Sequence, residues 1–209
     1  MKKLLVEFIG TFFLTVTVAT AAVLGTAGPM APFAIASVFM VMIYAGGHVS
    51  GAHYNPAVSL AVFLRGRSTA NEFGSYVLAQ LIAGALAVFI AKALVPAAPA
   101  IEPLKLISTP TVIAELLFTF ALAWVVLNVA TAKATAGNSN YGLAIGFTVL
   151  VGAFTVGGIS GGAFNPAVSM MLIVIGKLPI ADCWMHLLPQ ILGATSAAYL
   201  FKTTHPEDV

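Results

Sequence analysis

Twice the chain carries nearly the same ten residues at the end of a long apolar stretch: Ser50-Gly51-Ala52-His53-Tyr54-Asn55-Pro56-Ala57-Val58-Ser59 and Ser160-Gly161-Gly162-Ala163-Phe164-Asn165-Pro166-Ala167-Val168-Ser169. An Asn-Pro pair ahead of apolar residues is a helix start, because Asn caps free backbone N–H groups and Pro tolerates the first helical position. The segments that follow, near 56–64 and 166–176, are about 10 residues each, some 15 Å at 1.5 Å per residue, or half a hydrocarbon core. They can enter a bilayer but cannot cross it. Two such starts at mid-membrane aim two positive helix ends at one lumen.

That a bilayer is the solvent follows from composition. Hydrophobic residues make up 60% of the chain and charged residues 8%, against about 25% charged in an ordinary soluble domain. Six long apolar runs, near 4–25, 33–50, 73–95, 111–131, 141–158 and 181–201, are each of a length to cross. Met1-Lys2-Lys3 imitates a secretion signal, but Glu7 interrupts the run and no small-residue cleavage site ends it, so a retained helix is expected. A net charge of +2, thinly scattered, argues against nucleic acid as a partner. Cys183 is alone, which excludes an internal disulfide and leaves the redox compartment open.

With six crossings, both termini share a side. That side holds Lys2, Lys3, Arg65, Arg67, Lys133 and Lys202, and the other Lys92, Lys105 and Lys177. The excess of positive charge predicts that both termini are cytoplasmic, and the plasma (cell inner) membrane is the expected location of this integral protein.

The Pro- and Ala-rich loop from Val95 to Pro110 divides the chain into similar halves. Glu7 lines up with Glu115 at an offset of 108, and Asn55 with Asn165 and Gln80 with Gln190 at an offset of 110. Three crossings and one half-helix per half turn the second half over in the membrane, giving one channel domain over 1–209 built from inverted repeats of about 1–100 and 101–209. The loops Gly46 to Tyr54 and Gly157 to Phe164 are dense in Gly and are expected to be non-helical in part, with carbonyls facing a lumen.

With these residues in view, the chain resembles the aquaporins of the major intrinsic protein family along essentially its whole length. The two Asn-Pro-Ala boxes (Asn55, Pro56, Ala57 and Asn165, Pro166, Ala167), the Ser-Gly pairs before them, and the paired Glu and Gln carry the likeness. The resemblance implies an all-α membrane protein of six transmembrane helices plus two re-entrant half-helices. It also implies that Asn55 and Asn165 donate to the permeating molecule, that Glu7 and Glu115 brace the loops, and that the protein is a homotetramer with a pore in each subunit.

By the same resemblance the filter positions are Ile35, Ala153, Gly162 and Val168. Family members usually have Arg where Val168 stands, and water-selective members carry aromatic and His residues at the first two positions. A ring of this composition is wide, apolar and uncharged, which favours small neutral solutes in addition to water: glycerol, urea, ammonia, hydrogen peroxide or an undissociated metalloid acid. One cue runs against glycerol, since Ser169 sits where glycerol channels usually carry Asp.

Blander readings cover the rest. His48 and His53 flank the first loop, where a single His is ordinarily a packing residue, although a pKa near 6.5 makes pH gating by His48 conceivable. Cys183 and His186 are two potential ligands without partners and do not amount to a metal site; no cofactor is expected. Small residues such as Ala79, Ala83, Gly84, Gly193, Ala194 and Ser196 read as helix-packing positions. No nucleophile-base pair or phosphate loop suggests an enzyme. A coupled transporter also uses inverted repeats, but it needs an intramembrane relay that only Glu7 and Glu115 could supply. A closed-pore structural protein is the third class.

Overall fold

The computed structural model describes residues 1–208, and among them no strand occurs. Helix α1 runs Lys2–Thr17 and continues through a π-helical turn, Val18–Val23; α2 is Ala31–Ser50, α3 Pro56–Leu64 and α4 Ala70–Leu94. The second series is α5, Ser108–Val126 with a π-helical turn at Leu127–Thr131, then α6 Tyr141–Ser160, α7 Pro166–Ile175 and α8 Trp184–Thr204. Six are long and two are half-length, as expected of a six-crossing protein with two re-entrant half-helices.

Local sequence explains most of the ends. Pro32 and Pro110 sit in the first turns of α2 and α5, where a missing N–H costs nothing. Thr69 caps α4 by accepting from the Glu72 N–H at 3.2 Å. Five of the long helices are apolar enough to cross a membrane by length and hydropathy alone. The exception is α8, whose 21 residues would span about 31 Å. Its average falls because His186, Pro189 and Gln190 turn polar atoms and a helix-breaking ring inward, where all three are buried.

The packing crosses between the two series. α1 lies against α2 and α4, and α5 against α6 and α8, but half-helix α3 also rests on α8 while α7 rests on α4. Two glycines permit the closest approaches of one backbone to another. A Cβ on Gly84 of α4 would stand 2.5 Å from the Ala167 carbonyl at the start of α7, and one on Gly193 of α8 would stand 2.6 Å from the Leu116 carbonyl of α5. Large apolar side chains on the outer faces of α4 and α8, including Leu78, Phe89, Leu188 and Tyr199, are exposed where lipid would meet them.

The two Gly-dense loops are non-helical in part, as expected, over a narrower range. The loops are shorter than their glycines suggest, because Gly46, Gly47, Gly157 and Gly158 all lie inside helices and only Gly51–Tyr54 and Gly161–Phe164 are irregular. Gly46 is not there to break α2. It leaves room, together with Gly10, for the ring of Tyr54, whose hydroxyl donates to the Met42 carbonyl at 3.0 Å. Packing overrides the weak helix propensity of glycine here.

Candidate functional site

Both half-helices start the same way. Asn55 and Asn165 share an extended backbone, φ −157° in each. The Asn55 Oδ1 accepts from the Ala57 N–H at 2.8 Å and the Asn165 Oδ1 from the Ala167 N–H at 2.9 Å. Each Nδ2 then crosses to the other loop: Asn55 donates to the Phe164 carbonyl and Asn165 to the Tyr54 carbonyl, both at 2.9 Å. An amide nitrogen carries two N–H groups, so this exchange uses one and leaves the second to point elsewhere.

The loops feeding these caps are held in a conformation that L-residues avoid. Gly51 and Gly161 have φ of 87° and 89°, Tyr54 and Phe164 48° and 47°, and Ala52 and Gly162 50° and 63°. A non-glycine residue in this region costs on the order of 1–3 kcal/mol and persists only where its surroundings dictate it. Glu7 and Glu115 supply those surroundings. Glu7 accepts from the Ser50 hydroxyl (2.7 Å), the His53 N–H (3.0 Å), the Tyr54 N–H (2.8 Å) and the Gln80 Nε2 (2.8 Å). Glu115 accepts from Ser160 (2.6 Å), Ala163 (3.0 Å), Phe164 (2.8 Å) and Gln190 (2.8 Å). Both carboxyls are wholly buried, and four donors to each are what makes a buried carboxylate tolerable.

A third tier was not anticipated from sequence. Ser59 Oγ meets His53 Nδ1 at 3.0 Å, and Ser169 Oγ meets His186 Nδ1 at 3.3 Å. The two histidines come from unrelated places, a loop in one case and α8 in the other. The equal spacing of Ser59 and Ser169 was visible; the histidine partners had no common signal. His48 is exposed at the end of α2, away from this network.

Two cavities open on either side of the paired Asn. The distal one, of about 270 Å³, lies opposite the chain termini and is lined by Ile35, Ala153, Gly162 and Val168 together with Asn55 and Asn165. All four expected ring positions therefore face one space with both amides. It also touches the start of α2 and the end of α6, so these helices run past it in opposite directions. The proximal cavity, of about 500 Å³, is lined by His53, Val62, Arg67, Tyr76, Val126 and Lys133 among others.

At the rim of the proximal cavity an ion cluster ties three segments together. Asp208, almost fully buried, meets Arg65 at 3.2 Å, Arg67 at 3.3 Å and Lys133 Nζ at 3.7 Å, and accepts from the Lys133 backbone N–H at 2.8 Å. Burial pushes the Asp208 carboxyl up, but the Lys133 N–H and the Arg65 guanidinium outweigh it and hold the group below its usual value. Arg65 also donates to the Thr131 carbonyl at 2.8 Å and lies 4.5 Å over the Phe201 ring.

Known proteins with this arrangement are membrane channels. The family model described as Major intrinsic protein matches residues 1–155 and again 108–208. Aquaporin NIP1-1 of Zea mays is 31% identical over 212 residues, covering 97% of this chain and 74% of its own. Glycerol uptake facilitator protein-like 6 of Lactiplantibacillus plantarum is 32% identical over 219 residues, covering all of both chains. Among solved structures, the aquaglyceroporin from Plasmodium falciparum superposes with a TM-score of 0.82 over 99% of this chain and 97% of that one, at 23% identity; it speaks to the fold.

Proposed function

The chain belongs to the major intrinsic protein family, and from that premise we propose that it is a passive pore whose distal ring admits small neutral solutes as well as water. Membership makes it an integral membrane channel for water or small neutral solutes rather than an enzyme. The finer reading rests on one observation: the space shared by the two Asn amides is bounded by Ile35, Ala153, Gly162 and Val168, with no charged side chain among its lining residues. Apolar walls lower the cost of passing a solute with carbon or metalloid bulk. The remaining N–H of Asn55 and of Asn165 would orient an oxygen-bearing solute at the centre.

Cations are turned back by the two half-helix ends, each equivalent to roughly +0.5 charge. Glu7 and Glu115 act as braces that keep the strained loops, and hence the caps, in place. The inverted repeat, the cytoplasmic side for both termini and a homotetramer of separate pores complete the reading. A relative named glycerol uptake facilitator protein-like 6 supports glycerol within the solute range.

Stopped-flow light scattering on proteoliposomes tests this, with water, urea, glycerol and ammonia as solutes and a proton-leak control. Permeation of at least one solute larger than water, above protein-free vesicles, is the expected result. Fast water with every larger neutral excluded would refute the wider solute range.

A further inference from the structure

The distal ring has a counterpart that neither cavity reaches. Helices α2 and α6 are each 20 residues long, and their ends differ by 110 in number, as do the two Asn caps. Applied to the distal ring, that offset pairs Ile35 with Ile145, Ala153 with Ile43, Gly162 with Ala52 and Val168 with Val58.

On α2 and α3 the counterparts lie between residues of the two cavities, and on α6 the counterpart lies beyond the distal one. On α2, Ile43 is one turn beyond Phe39, which lines the distal cavity; on α6, Ile145 is one turn beyond Val149, which does the same. On α3, Val58 falls between Asn55 of the distal cavity and Val62 of the proximal one. In the loop, Ala52 is flanked by Gly51 and His53, both on the proximal cavity, and stands three residues before Asn55 of the distal one. Yet none of the four lines either space.

Composition and burial agree with a constriction. Replacing Ala and Gly of the distal ring by Ile43 and Ala52 brings more carbon into the same cross-section. Exposure of Ile43, Ala52, Val58 and Ile145 is 2%, 6%, 1% and 3%, whereas of the distal ring only Val168, at 5%, is buried and Ile35, Ala153 and Gly162 are partly buried. All four belong to one continuous apolar cluster, and apolar constrictions limit passage by size and by dewetting.

We infer that Ile43, Ala52, Val58 and Ile145 form a second, tighter apolar ring, and that this ring, not the distal one, sets the largest solute the pore passes. The inference rests on the pore reading above. It is tested by the size cut-off of proteoliposomes for a series of water, urea, glycerol and a four-carbon polyol. Val58→Ala should raise the flux of the largest permeant solute severalfold and admit the next in the series. Val168→Ala should move the cut-off only in the Val58→Ala background. If Val58→Ala fails to assemble, Ile145→Val, one methylene smaller, serves in its place.

A cut-off that follows Val168→Ala alone, with Val58→Ala and Ile145→Val without effect on it, overturns the inference and leaves the pore reading intact. Wild type and all widened variants no faster than protein-free vesicles overturn both. A silent wild type that conducts once Val58 or Ile145 is trimmed supports the ring.

Discussion

Asp208 and Arg65 meet at 3.2 Å with only 2% and 1% of their side chains exposed, although 143 residues separate them in sequence. The pair ties the segment after α8 to the end of α3, and Lys133 adds the loop between α5 and α6. Because the folded carboxyl titrates below its usual value, the clamp is fully stabilising above the unfolded pKa of about 3.9 and is lost as pH falls through the lower folded value. Thermal unfolding in detergent should therefore show an acid-side loss of stability that Asp208→Asn flattens, at the expense of a lower melting temperature at neutral pH. Equal acid slopes in the two proteins would mean that the clamp contributes nothing measurable.

Glu7→Gln and Glu115→Gln should each destabilise by about 2–4 kcal/mol, since an amide nitrogen placed against buried N–H donors leaves at least one of them unpaired. The loops should relax at the same time, reducing flux. Denaturation midpoints in mixed micelles, read beside proteoliposome flux, check this; a wild-type midpoint would show that the loops do not depend on the carboxylate charge.

Gly84→Ala and Gly74→Ala sit on the same helix and should act in opposite directions. The first drives a Cβ against the Ala167 carbonyl, with an overpacking cost of about 1–3 kcal/mol and a displaced start to α7. The second meets nothing within 4 Å and should gain about 0.5–1 kcal/mol of helix propensity. Paired melting curves decide it, and a harmless Gly84→Ala would mean that α4 can step back from α7 freely.

Val168→Arg should convert the distal ring from apolar to cationic and fill part of its 270 Å³ cavity. Flux of solutes larger than water is expected to fall by about tenfold or more, with water retained, because a guanidinium is bulky and offers donors that suit water. Unaltered solute selectivity would place Val168 outside the path.

The helix starts at Asn55 and Asn165 could be read from sequence because capping is local: an Asn, a Pro and the N–H groups just beyond. The positions of Ile35, Ala153, Gly162 and Val168 around one cavity came from the family resemblance, which carries them over by their distance from the two boxes. What escaped depended on partners remote in sequence. Gly46 looked like a loop residue because its reason for being glycine is the Tyr54 ring, which only the folded chain brings against it. Asp208 carried no signal, since nothing near it in sequence announces three basic partners. His186 gave no sign of its serine.

The exchange of caps has a consequence for how the protein comes to exist. Asn55 donates to a carbonyl of residue 164, and α3 rests on the last helix of the chain. During synthesis, the first four helices emerge when neither partner has yet been made. α3 then has only its local cap and the Glu7 brace until the second loop and α8 arrive, so the passage takes its final shape only when both halves are present.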